Sequence, residues 1–268
     1  MAAQFDAQLL EGLVGTADGA VWYVNVGEDL KVRLVSSHAR GPVNALAFEG
    51  GDAAALFLSG GSDSAVRIWA RGTCDQVLEF SFTGENECTL VALHPTEKRA
   101  VAAFADGYMR FLDLQSLKNL GRVRITQERV SSIAFSQTGG SFLFGDRGGS
   151  LNFVAIESWD PLTIKHQEIG VLECGIDSIA FQSGEPGGSS TFMATLSNGK
   201  VNTWRSQGSG VTGLAAAEEQ EEEDVQYMMV DSFDIFENPH QMEMSEDERL
   251  KIQILYASKV SARSAWRC

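Results

Sequence analysis

Short apolar runs separated by polar turn residues recur along most of this chain, and within them the apolar positions repeat every second residue. Val66 and Ile68 flank Arg67, and Met109 and Phe111 flank Arg110. Such a period places successive side chains on opposite faces of a strand, whereas a helix would repeat near 3.6. Asp18-Gly19, Asp106-Gly107 and Asn198-Gly199 sit between apolar runs. These pairs are strong hairpin signals, because both residues tolerate positive φ. The pattern predicts an all-β chain of short antiparallel strands.

The runs form a repeat. One phrase is Ala17-Asp18-Gly19-Ala20-Val21-Trp22-Tyr23-Val24, and Ser62-Asp63-Ser64-Ala65-Val66-Arg67-Ile68-Trp69 answers it. It returns at 105–112, 147–154 and 197–204, with the final residues spaced 45, 43, 42 and 50 apart. The last interval is lengthened by the Gly/Ser/Pro-rich stretch 183–190, which reads as a surface loop. A second phrase keeps the same beat: Val43-Asn44-Ala45-Leu46-Ala47-Phe48, then 88–93, 130–135 and 176–181. A further strand follows the turn, as in Gln76-Val77-Leu78-Glu79-Phe80. A unit of about 40–45 residues with four short strands is a propeller blade, and it buries its faces only by stacking on neighbours.

These blades resemble those of the WD-repeat (WD40) family, over about Leu9 to Arg205. One unit carries most of the family's marks: His38 after Ser37, Asp63 at the turn, and Trp69 at the end of the third strand, with Ala70 where the family has Asp. The resemblance implies a buried structural hydrogen-bond chain of His38, Ser59, Asp63 and Trp69. Other units depart from it, with Leu112 and Val154 in place of Trp and Gly148 in place of Asp. The stretch from Val14 to Val24, followed by Val32-Arg33-Leu34-Val35-Ser36-Ser37-His38, is similar to the large tandem-propeller WD-repeat proteins of centrioles, basal bodies and cilia. That resemblance implies a microtubule-associated scaffold.

Four to five blades are expected within residues 1–205, opening at the second strand of a blade near Leu10 to Thr16. Residues 206–268 are expected to form a separate, partly disordered acidic tail. Glu218 to Asp224 holds six acids in seven residues, which reads as a solvated run or as a ligand for a basic partner. Tyr227 to Phe236 is apolar enough to dock on a partner. Ser245-Glu246-Asp247-Glu248 suggests a helix start, while the alternation of Leu250, Ile252, Ile254 and Tyr256 suggests a strand near 246–260.

Composition narrows the chemistry. A net charge of −15 argues against nucleic acid and anionic membrane as partners, since both require a basic face. A local basic patch remains at Arg122, Arg124 and Arg129, where a solvated strand edge is the plainer reading. Cys74, Cys88, Cys174 and Cys268 form no CxxC pair, which predicts reduced thiols and no metal site, with Cys88 and Cys174 as core fillers. His94 lies at a strand end and His166 in a loop-like stretch after Trp159-Asp160-Pro161. Neither has a neighbouring nucleophile, and no Gly-x-Ser-x-Gly elbow is present. No cofactor is expected.

The sequence therefore points to a non-enzymatic scaffold that binds other proteins, in the cytoplasm at a centriole, basal body or axoneme. The alternative is an adaptor or regulatory subunit of a ubiquitin ligase or dynein-like complex, although Trp69-Ala70-Arg71-Gly72 departs from the adaptor pattern. An acidic-tail binder of basic proteins is a third reading. Surface candidates are Arg67, Tyr108, Arg110 and Arg147, with Arg67 and Arg110 sharing one sheet-face position.

Overall fold

A computed structural model describes residues 2–5, 11–25, 31–37, 41–48, 56–70, 73–82, 86–182, 191–207 and 226–234. They form five four-stranded antiparallel sheets, each a simple meander. Sheet one contains β1 (Ala2–Phe5), β2 (Glu11–Gly15), β3 (Ala20–Asn25) and β4 (Lys31–Ser37). Sheet two contains β5 (Val43–Phe48), β6 (Leu56–Gly61), β7 (Ala65–Ala70) and β8 (Gln76–Ser81). Sheet three contains β9 (Cys88–Leu93), β10 (Arg99–Phe104), β11 (Tyr108–Asp113) and β12 (Lys118–Arg124). Sheet four contains β13 (Val130–Phe135), β14 (Ser141–Asp146), β15 (Ser150–Trp159) and β16 (Leu162–Val171). Sheet five contains β17 (Ile176–Phe181), β18 (Thr191–Leu196), β19 (Lys200–Gln207) and β20 (Gln226–Asp234).

Two boundaries differ from the sequence reading. The first sheet does not open at its second strand: Ala2–Phe5 pairs with Glu11–Gly15, so that sheet is complete. The edge at 205 falls inside sheet five, whose outer strand lies at 226–234 and pairs with β19 from Lys200 to Gln207. The apolar segment from Tyr227, read as a docking element, is this strand. The backbone of β19 needs a partner, and β20 supplies it. The acidic run at 218–224 and the helix-or-strand segment near 246–260 lie outside the described residues.

The first strands of the sheets pack in series, β1 on β5, β5 on β9, β9 on β13 and β13 on β17. Among the described residues no extended packing joins β17 back to β1. Period-two alternation gives each sheet two apolar faces, and four apolar layers fill the four gaps. Leu13 and Val21 meet Val43, Phe57 and Trp69. Leu58 and Ile68 meet Cys88, Ala102 and Phe104. Val101 and Phe111 meet Val130, Phe142 and Phe144. Leu143 and Leu151 meet Ile176, Phe192 and Trp204.

One position sets how closely the sheets approach. A Cβ on Gly15 would lie 2.6 Å from Val43 Cγ1, on Gly60 2.6 Å from Cys88 Sγ, and on Gly145 2.6 Å from Ile176 Cγ2. Each glycine is near the end of a second strand and receives the first residue of the next sheet. Sheet three has Ala103 there, in the same layer as Val130. The smallest side chains therefore fall where backbones must come nearest.

Candidate functional site

The register shows what each sheet presents at one end. The first strand begins opposite the end of the second, as Val43 does opposite Gly61. The third begins and the fourth ends there too, as Ala65 pairs with Ser81. The entry to each sheet, its second-to-third turn and its exit therefore share one face.

The turns on this face repeat one solution. Asp63 Oδ1 accepts from Ala65 N at 3.2 Å, Asp106 Oδ1 from Tyr108 N at 3.4 Å and Asn198 Oδ1 from Lys200 N at 3.0 Å. Gly19, Gly107, Gly149 and Gly199 follow with φ between 80° and 94°, and Ser64 takes φ 59° at the matching place. This conformation is natural only to glycine and a few polar residues. Sheets one and four reach the same N–H from four residues upstream: Thr16 Oγ1 accepts from Ala20 N and Asp146 Oδ1 from Ser150 N, both at 2.9 Å. Asp146 thus does in sheet four what the Asp missing at Gly148 does elsewhere. Asp18 instead bonds Thr16 Oγ1, which holds its carboxyl below the usual carboxylate range.

Of the expected blade network, Ser59 and Trp69 come together. Trp69 Nε1 donates to Ser59 Oγ at 2.9 Å, and both are fully buried. Asp63 takes Arg67 as an ion-pair partner at 2.8 Å, and Arg67 also reaches Glu79 at 3.0 Å. His38 lies outside the described residues. Arg67 and Arg110 are buried sheet-face residues, whereas Arg147 is exposed.

The face is joined across sheets by side chains that no single phrase contains. Asn44 Nδ2 donates to Cys88 O at 3.0 Å and to Glu87 Oε2 at 3.3 Å, and Ser62 Oγ donates to the same carboxylate oxygen at 2.9 Å. Arg129, at the entry to sheet four, holds the other oxygen of Glu87 at 2.7 Å. Ser131 donates to Ile176 O in sheet five, and Thr126 Oγ1 to Asp146 at 2.8 Å. Glu87 thus ties sheets two, three and four into one polar surface. The sequence marks only part of it: Asn44, Thr89, Ser131 and Asp177 share one polar place in the second phrase.

Comparison with known proteins turns on this architecture. No family model matches the chain. The crystal structure of the Myceliophteria thermophila Cps50 (Swd1) β-propeller domain superposes with a TM-score of 0.63 at 17% identity, covering 87% of this chain and 71% of that one. WD repeat-containing protein 90 of Xenopus tropicalis is 27% identical over 218 residues, which is 77% of this chain. The Mus musculus protein of that name is 25% identical over 212 residues, and the Homo sapiens protein 28% over 155. The chain has a β-propeller fold and is similar in sequence to these WD-repeat proteins. It spans only 11%, 11% and 9% of the lengths of those relatives.

The two described histidines of this propeller, His94 and His166, pack against aromatic rings. His94 is buried, its ring 5.4 Å from that of Phe135 and 5.8 Å from that of Trp159. Its Nδ1 accepts from Glu97 N at 3.0 Å. His166 is not in a loop: it lies in β16, with Nε2 2.8 Å from Asn152 Oδ1. The stretch after Pro161 continues as an outer strand, where polar residues tolerate exposure on both faces. Cys88 is fully buried, so burial drives its thiol pKa upward, while Cys174 is half-buried.

Burial also lowers the pKa of both His94 and His166. Their folded values lie below the ordinary histidine value of about 6.5, so the unfolded chain binds more protons below that pH. Stability is therefore complete above pH ~6.5 and declines as acid reaches the folded pKa values. The urea midpoint is expected to fall between pH 7.5 and pH 5.5, and His166→Gln to flatten part of that fall. A midpoint independent of pH would contradict the assignment.

Proposed function

We propose that the chain acts as a non-enzymatic protein-interaction scaffold, as part of a microtubule-associated structure in the centriole, basal body or ciliary axoneme. The observation that carries the scaffold reading is the continuous polar face built from Asn44, Ser62, Glu87 and Arg129. Such a face spans several sheets and offers a partner a broad surface on a rigid frame. The cellular placement is supported by the Gly15-Thr16-Ala17 turn, the aromatic Trp22-Tyr23 strand and the Arg33-Leu34-Val35-Ser36 stretch. These are the features shared with large ciliary and centriolar tandem-propeller proteins.

Imaging of the tagged chain tests the placement. Enrichment at basal bodies, centrioles or axonemes over a diffuse signal is the expected result. Diffuse signal, with proximity labelling that recovers cullin or dynein chains instead, would replace this reading with the adaptor one.

A further inference from the structure

The third sheet carries a basic strip on an otherwise acidic molecule. Tyr108 pairs with Arg124, and Arg110 with Arg122, across β11 and β12. Directly opposed residues point to the same face, so these four side chains share one surface. The intervening pair, Met109 and Val123, turns the other way into the layer against sheet four. Arg122 lies 4.6 Å and Arg124 5.8 Å from the centre of the Tyr108 ring, and both arginines are exposed. Arg110 is buried beside them, its guanidinium 4.1 Å from the centre of the Phe82 ring.

We propose that this strip, with Arg122 and Arg124 braced on Tyr108, docks an extended acidic peptide bearing carboxylates at alternate positions. Arg122 and Arg124 are two residues apart on one strand, a repeat of about 6.6–6.8 Å. An extended peptide repeats its own side chains at the same interval, so two carboxylates meet two guanidinium groups without bending either backbone. Contact with the tyrosine ring limits the arginine rotamers in advance, which lowers the ordering cost of binding. The molecule's charge selects the length of the ligand. With −15 overall, a long polyanion is repelled wherever it leaves the strip, whereas a short acidic segment is not. This inference rests on the scaffold reading and adds the chemistry of one partner. It does not depend on where in the cell the chain resides.

Fluorescence anisotropy with a labelled peptide of two Glu-Thr repeats, at low salt and with the full chain, tests it. Saturable binding is expected, weakening steeply with salt and by about tenfold or more in R122E/R124E. Tyr108→Ala is expected to weaken it less. The arginines are exposed, so an unchanged thermal midpoint shows that the variant is folded. Absence of binding, or binding that R122E/R124E leaves unchanged, overturns the proposal. So does a single-stranded oligonucleotide that binds more tightly through the same arginines. None of these outcomes alters the localisation result.

Discussion

Trp69→Ala is expected to lower the stability of the chain by about 3–5 kcal/mol, the range for removing a buried aromatic side chain. Trp69 is 1% exposed and stacks on Phe57 with ring centres 6.0 Å apart and planes 14° from parallel. Its indole N–H is spent on Ser59, 2.9 Å away. The same stack recurs in sheet five, where Trp204 lies 5.2 Å from Phe192 at 11°. Removing the ring leaves a cavity in the layer between sheets one and two, which the surrounding strands fill only in part. Ser59→Ala separates the two contributions. It keeps the stack and leaves a buried N–H without its acceptor, so a loss of about 1–3 kcal/mol is expected. Urea denaturation of the two variants against the parent chain checks both values. A Trp69→Ala chain with an unchanged midpoint would show that this layer does not hold the array.

Gly145→Ala is the second large effect, at about 1–3 kcal/mol of destabilisation from overpacking. The added Cβ would sit 2.6 Å from Ile176 Cγ2 and 2.7 Å from Ile176 Cβ. Ile176 is branched at that carbon and is the first residue of β17, so it cannot swing aside as the tip of a long side chain would. Relief requires sheets four and five to separate. Ile176→Gly costs stability alone but removes both the Cβ and the Cγ2 that the added carbon would meet, so the double variant is expected to lose less than the sum of the single losses. Gly170 provides the control, because a Cβ there meets nothing within 4 Å, and Gly170→Ala is expected to be close to neutral. Thermal unfolding of the four variants measures the coupling. Strict additivity would show that the seam is not set by this contact.

The blades were legible in the sequence because two phrases recur in register, and each has a local physical cause. The Asp-Gly and Asn-Gly turns follow from backbone freedom, and the first strands follow from alternation. Strands without such local cues were harder to see. β1 is four residues long, and its Phe5 ring lies where a Cβ on Gly12 would be, a contact known only once the sheet has formed. In β20, Met228, Met229 and Val230 are apolar in succession, which hides the period-two signal of an outer strand. The polar face was less legible still. Asn44 and Glu87 are 43 residues apart and Glu87 and Arg129 are 42 apart, so tertiary stacking alone brings them together. The basic stretch shows the same division. Composition marked Arg122, Arg124 and Arg129 alike, but Arg129 is tied to Glu87 while the other two gather over Tyr108.

The serial packing of β1, β5, β9, β13 and β17 also governs how the molecule comes apart. Among the described residues, sheets two, three and four are each packed from two sides and sheets one and five from one, so within this span opening is expected to begin at sheets one and five and to advance inward step by step. A weakened seam acts like a broken link in a chain: it leaves two shorter stacks, each with a new outermost sheet, and the damage spreads only by stripping those in turn. Within the described span, sheet three lies two steps from sheet one and from sheet five and is expected to loosen last, and it is the sheet that carries the arginine strip.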